Sequence, residues 1–171
     1  IVVDADGICS QLSSELIRNI ISKDDWSVMT ANVRDHYYDI YALRHKSWCP
    51  NDFYEDIKKD LNKGISYQKS YLKNVIPKMI NIKPSSNLIE VDSAFGGFAI
   101  YKKSFIPSHA SYVGLNKLGN EVCEHVSFHY SIKNNQGKIF IHPKLIIGPG
   151  IIKCWIKLLK RKIKLIFNIP F

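Results

Sequence analysis

Apolar positions along this chain follow two periods, and the switches between them predict its elements. Ile1, Val2 and Val3 form a short strand-type run that closes on Asp4-Ala5-Asp6-Gly7. Leu12, Leu16, Ile17, Ile20 and Ile21 then recur three or four apart, which predicts a helix over 11–22 with Ser10 or Ser13 as its cap. Residues 26–32, Trp26 to Asn32, read as a short buried strand. Strand, acidic turn, helix, strand is the rhythm of an α/β sheet. Over 55–80, Ile57, Leu61, Tyr67, Tyr71, Leu72, Val75 and Ile76 keep roughly helical spacing, interrupted by Gly64 and Pro77. That pattern predicts one or two surface helices with solvated lysine faces. Residues 82–87 read as a loop, 88–93 as a strand ending in polar residues, and 98–101 as another strand. A loop over 112–119 leads into a stretch where Glu121, His125 and His129 fall four apart. Residues 134–137 form a turn, and strand-type segments at 138–143 and 144–147 close the sheet.

The last stretch differs from the rest. Over 151–168, Ile152, Trp155, Ile156, Leu159, Ile163 and Ile166 share one helical face, opposite Lys153, Lys157, Lys160, Arg161 and Lys164. Only Lys162 breaks the apolar side. A basic amphipathic helix with a Trp, following Gly148-Pro149-Gly150, fits peripheral contact with a membrane surface; a helix docked on the domain's own core is the alternative. Charge sharpens this division. The net charge of +9 falls to +3 without the six basic residues of 149–171, so basicity belongs to the tail and no nucleic-acid-binding face is expected. The chain therefore divides into a domain over 1–147 and a tail over 148–171.

Composition sets outer bounds. A chain of 171 residues, 46% of them hydrophobic, is enough for one domain with a core. No apolar run approaches the length of a membrane span. The chain opens in mid-strand without initiator Met or signal peptide, which leads us to expect an upstream part. Cysteines at 9, 49, 123 and 154 show neither CxxC nor zinc spacing, and fit scattered thiols in a reducing compartment. A cytoplasmic location, at the membrane surface through the tail, follows as the expectation.

Candidate chemistry concentrates in four places. Asp4 and Asp6, two apart at a strand end, can point the same way and reach one hard divalent cation. Residues 33–54 interleave aromatic and charged groups; Tyr37, Tyr38, Asp39, Arg44, His45 and Trp48 suit a sugar ring, whose C–H face stacks while its hydroxyls need polar partners. The same aromatics also serve as plain packing residues. Gly96-Gly97 between two strands allows close backbone approach or a sharp corner. Glu121, Glu124, His125 and His129 form a candidate acid/base cluster, and the two histidines would share a helix face.

Taken together, VVDADG, WSVMTAN, YYDIYALRHKSWCPND, DSAFGGFAIYKK, YVGLNKLGNEVCEHVSFH and KIFIHPKLI resemble a group of GT-A-type glycosyltransferases over about residues 1–147. The resemblance implies the C-terminal part of a Rossmann-like catalytic domain, a mixed sheet flanked by helices that lacks its N-terminal nucleotide-binding half. It implies transfer of a sugar from a nucleotide-sugar donor to a hydroxyl acceptor, with Mn2+ or Mg2+ held by Asp4 and Asp6 on the diphosphate. The FGG segment is similar to inverting members, in which a Gly-Gly loop borders the acceptor. On that pattern Phe95, Gly96 and Gly97 border the acceptor pocket, Glu124 is the base with Asp92 as competitor, and His129 is favoured as third metal ligand over His125 and His142. Tyr38, Asp39, Arg44, Trp48 and His125 complete the expected substrate contacts. An inactive fragment acting as a membrane-associated or partner-binding module is the alternative.

Overall fold

Six consecutive buried residues make Val28–Val33 (β2) the strand on which the other elements are assembled. The structure is a computed structural model that describes residues 1–5, 9, 12–116 and 119–148. Val2–Val3 (β1), Ile89–Val91 (β3), Phe98–Tyr101 (β4) and Ile139–Ile147 (β5) join β2 in a five-stranded mixed sheet of order β1-β4-β2-β5-β3. β4 runs antiparallel to both β1 and β2, β5 parallel to β2, and β3 antiparallel to β5. β1, β2 and β5 therefore share one direction.

Local chemistry fixes the helices. Ser14–Ile21 (α1) begins where the Ser13 hydroxyl accepts the Leu16 N–H at 3.3 Å, so Ser13 rather than Ser10 is the cap. Phe53–Asn62 (α2) is capped by Asp52, whose carboxylate accepts the Tyr54 N–H at 2.9 Å. Gly64, at φ +77°, turns the chain out of α2, and Ser66 caps Tyr67–Asn74 (α3). Pro77 falls in a 3-10 turn over Ile76–Lys78, which needs no N–H from it. Glu124–Asn134 (α4) starts after Cys123 without a side-chain cap. Gly64 thus separates α2 from α3, whereas Pro77 lies within the 3-10 turn that follows α3.

Helices cover both faces of the sheet. Ile20 of α1 packs with Trp26, Met29, Phe98, Ile100 and Leu145 on one side. Phe53, Ile57, Tyr71 and Ile132 from α2, α3 and α4, with Val75 at the end of α3, pack with Val28, Ala99, Ile139 and Ile141 on the other. Each fully buried isoleucine here contributes roughly 1.5–3 kcal/mol relative to exposure. The two strand segments expected at 138–147 are one strand with a bulge. Ala31 pairs with His142 but Asn32 pairs with Ile146, so β5 takes four steps where β2 takes one. The odd number of extra residues reverses which face odd-numbered positions meet. Ile139 and Ile141 accordingly face the three-helix side, and Leu145 and Ile147 the α1 side. The Asn32 amide anchors the bulge by donating to Pro143 O and Ile82 O, both at 2.9 Å.

The opening strand departs from expectation. An apolar run such as that of β1 suits a buried strand with parallel neighbours on both sides. Among the described residues β1 pairs only with β4, antiparallel, and Val2 and Val3 are 43% and 48% exposed. An edge position with one sheet neighbour cannot bury a strand as β2 is buried. Cys9, Cys49 and Cys123 are free thiols. Among the described residues no helix is long and apolar enough to cross a membrane. Asp6 and the amphipathic segment 151–168 lie outside the described residues.

Candidate functional site

The carboxyl ends of β1, β2 and β5 open on one edge of the sheet, the edge where open α/β sheets seat ligands. The turn entering β4 lies among them. Gly96 and Gly97 take φ +71° and +103°, values that side-chain-bearing residues rarely adopt. A Cβ on Gly96 would stand 2.9 Å from Ala31 O of β2, so glycine lets this turn press against the central strand. Two acids are tied to the turn. The Asp4 N–H donates to Gly97 O at 2.9 Å, which sets the exit of β1 beside the glycine pair. The Asp39 carboxylate accepts the Gly96 N–H at 2.8 Å and the Ala42 N–H at 3.4 Å. Burial pushes the Asp39 carboxyl above its ordinary range; those two N–H groups oppose the shift, and the nearby charges of Asp4 and Glu124 add to it. The Asp39 carboxyl thus feels two other acids around one glycine turn, the kind of perturbation found at functional sites.

The amino end of α4 supplies the other wall. Glu124 is its first residue, where the helix dipole favours an anion. The Phe95 ring stacks on the His125 ring with centroids 3.8 Å apart, joining the glycine turn to the helix. The Tyr112 hydroxyl lies 2.8 Å from His125 Nε2 and donates to Glu124 Oε1 at 3.3 Å. Burial pulls the His125 ring down to about 4, against the pull of Glu124, so the ring is neutral at pH 7. Its Nδ1 is buried with no hydrogen-bond partner. Cys123 is buried too, and its thiol is pushed up to about 12, so it is no nucleophile at neutral pH. Tyr112 is the site residue that sequence patterning missed. It stands in a stretch read only as a loop, and nothing local to 111–113 marks it as a partner for residues twelve and thirteen positions on.

Other expected site residues stand elsewhere. Asp92 follows β3 and pairs with Lys133 at 2.8 Å, near the far end of α4; nine residues of helix, roughly 13 Å, separate Lys133 from Glu124. His129 is fully buried, with Nδ1 2.9 Å from the Ser93 hydroxyl and Nε2 3.0 Å from the Tyr101 hydroxyl. Neither ring nitrogen is open to a cation in that arrangement. Arg44 donates to Tyr41 O, Leu43 O and Asp52 Oδ2 at 3.0, 2.7 and 2.6 Å, and so ties the 39–52 loop to the start of α2. Trp48 donates through Nε1 to Lys78 O at 2.7 Å and meets Tyr37 edge to face. Tyr38 is half-buried against the main core. His142 lies within β5, its Nδ1 accepting the Lys144 N–H at 3.2 Å.

Of the expected residues, then, Asp4, Asp39, Phe95, Gly96, Gly97, Glu124 and His125 come together, while Asp92, Arg44, Trp48 and His129 serve other contacts. Among the described residues no three His, Cys, Asp or Glu side chains are grouped to hold an ion. The donor chemistry of Asp4 still fits a hard cation of the kind held by one or two carboxylates plus waters and phosphate oxygens. No known family model matches this chain, and neither a curated protein nor a solved structure matches it.

Proposed function

We propose that the chain is the catalytic part of a GT-A-type glycosyltransferase, moving a sugar from a nucleotide-sugar donor to a hydroxyl acceptor. The observation that carries the reading is the glycine turn at the carboxyl edge, hydrogen-bonded to both Asp4 and Asp39 and stacked through Phe95 on the helix that presents Glu124. In this reading Asp4 and Asp6 hold Mn2+ or Mg2+, which when bound supplies positive charge for the departing diphosphate. Glu124 takes the proton of the acceptor hydroxyl as its oxygen bonds to the anomeric carbon. The bond from that carbon to the diphosphate oxygen breaks, the electron pair leaving with the diphosphate, and the configuration inverts. The Tyr112 hydroxyl holds the Glu124 carboxylate in place, and Asp39 fixes the turn through the Gly96 N–H while the Ala42 N–H steadies its own loop. Glu124→Gln keeps the shape and loses the base, so sugar transfer should fall by about a hundredfold or more with donor binding unchanged. Undiminished transfer in that variant would remove Glu124 from the mechanism.

A further inference from the structure

Beside the candidate base runs a groove that the transfer reading does not use. It holds about 520 Å3 between residues 109–116, Val122 and α4, within the range of small-molecule sites. Val113, Leu115, Val122, Val126 and the Tyr130 ring form its walls. The groove and the candidate site share a partition one chain thick. Ser111 and Val113 face the groove while Tyr112 between them reaches Glu124 and His125. Val122 and Val126 lie two residues to either side of Glu124. Backbone bonds hold this partition: Val122 N–H donates to Gly114 O at 3.0 Å, and the Ser127 hydroxyl donates to Leu115 O at 3.3 Å.

We infer that the groove seats an apolar aglycone of the acceptor, so that the acceptor is an amphiphile, a hydroxyl-bearing head on a hydrocarbon or similarly apolar group. The inference rests on the transfer reading for the word acceptor, but not for the site. Among the described residues the lining carries no carboxylate, lysine or arginine to pair with a strongly charged ligand. His109, Ser111, Asn116, Ser127 and Ser131 give the lining a polar share, but aliphatic side chains and the Tyr130 ring supply most of its surface, so an alkyl group finds more contact there than an unsubstituted sugar does. Val113, Leu115 and Tyr130 are 47%, 55% and 56% exposed, an apolar surface that an aglycone would cover. Its position next to Glu124 puts the head group of such a ligand on the side where a hydroxyl must be deprotonated.

The test is a titration of the full chain with methyl, hexyl, heptyl and octyl β-glucosides below their micelle concentrations, with and without UDP and Mn2+. Amide and methyl NMR shifts locate any binding. Affinity should rise about fourfold per methylene seated, with shifts at Val113, Leu115 and Val126. Val113→Glu and Leu115→Glu change exposed positions and should abolish the chain-length dependence while leaving the fold intact by circular dichroism. Affinity independent of chain length, shifts elsewhere, or undiminished binding in both variants would overturn the inference. If either variant dissociates a dimer of the chain and leaves glucoside binding unchanged, the groove is a contact between copies and the inference fails. Chain-length-dependent binding in a protein that ignores UDP would support the groove and count against the transfer reading instead.

Discussion

At the scale of single residues, Gly96 and His129 make the sharpest demands. Gly96→Ala puts a side chain at φ +71° and 2.9 Å from Ala31 O, whereas Gly64→Ala at φ +77° meets nothing within 4 Å. The left-handed conformation alone costs about 1–2 kcal/mol in each. Urea unfolding should therefore show Gly96→Ala losing distinctly more than Gly64→Ala; equal losses would mean the turn is not pressed against β2. The histidines give a pH dependence of known sign. Burial pulls His129 down to about 3 and His125 to about 4, whereas unfolded rings take protons near 6.5. Stability is full above pH 6.5 and declines as the pH falls toward 4, by up to ~1.4 kcal/mol per pH unit for each ring. His129→Phe leaves the Ser93 and Tyr101 hydroxyls without their partner, costs about 1–3 kcal/mol at pH 7.5 and flattens the pH slope. An unchanged slope would contradict the neutral buried ring. Residue roles were the least legible part of the sequence. His125 and His129 share a helix face as their spacing required, yet that face turns inward, and the polar partners of His129 come from positions 93 and 101.

Among elements, the α2–α3 pair turns on one acid that spacing alone marks as a surface group. Asp60 of α2 accepts from Ser70, Lys73 and Asn74 of α3 at 3.0, 3.0 and 2.7 Å. The Lys73 ammonium, then Asn74, holds its carboxyl below the ordinary range. Its contribution is present at neutral pH and is lost as the pH falls below about 3.8, where an unfolded carboxylate protonates. Asp60→Asn should lower the thermal midpoint and speed hydrogen exchange in α3 more than in α4; uniform exchange would deny that this contact pins the pair. Element order was legible because each period is long enough to register: the 3–4 spacing of Leu16, Ile17 and Ile20, the Ser13 cap, and the Gly64 and Pro77 breaks. β1 and β5 were misread for a physical reason. Three apolar residues look alike at an edge or in a centre, and the bulge after His142 is set by pairing with β2, which local sequence does not encode.

For the whole molecule, the two claims are a peripheral surface and a donor site. Six basic residues after Gly148 would each contribute about 1 kcal/mol at an anionic leaflet. The full chain should sediment with phosphatidylserine vesicles at low salt and release as salt rises; equal binding to neutral vesicles would contradict the electrostatic part. The α/β class was readable from the order of periods, because alternating strands and helices leave few layer arrangements, whereas the mixed sheet flanked by helices was expected only from the resemblance. The gathering of Asp4, Asp39, Gly96 and Glu124 at one edge was not, since it depends on strand order β1-β4-β2-β5-β3, which brings β1 beside a strand ninety-odd positions away. That gathering is tested most directly by isothermal titration of the chain with UDP and GDP, each with and without Mn2+. The account predicts manganese-dependent binding of one of them, lost in Asp4→Asn with the fold unchanged by circular dichroism. Binding of neither nucleotide by the folded chain, or equal binding in Asp4→Asn, would contradict it.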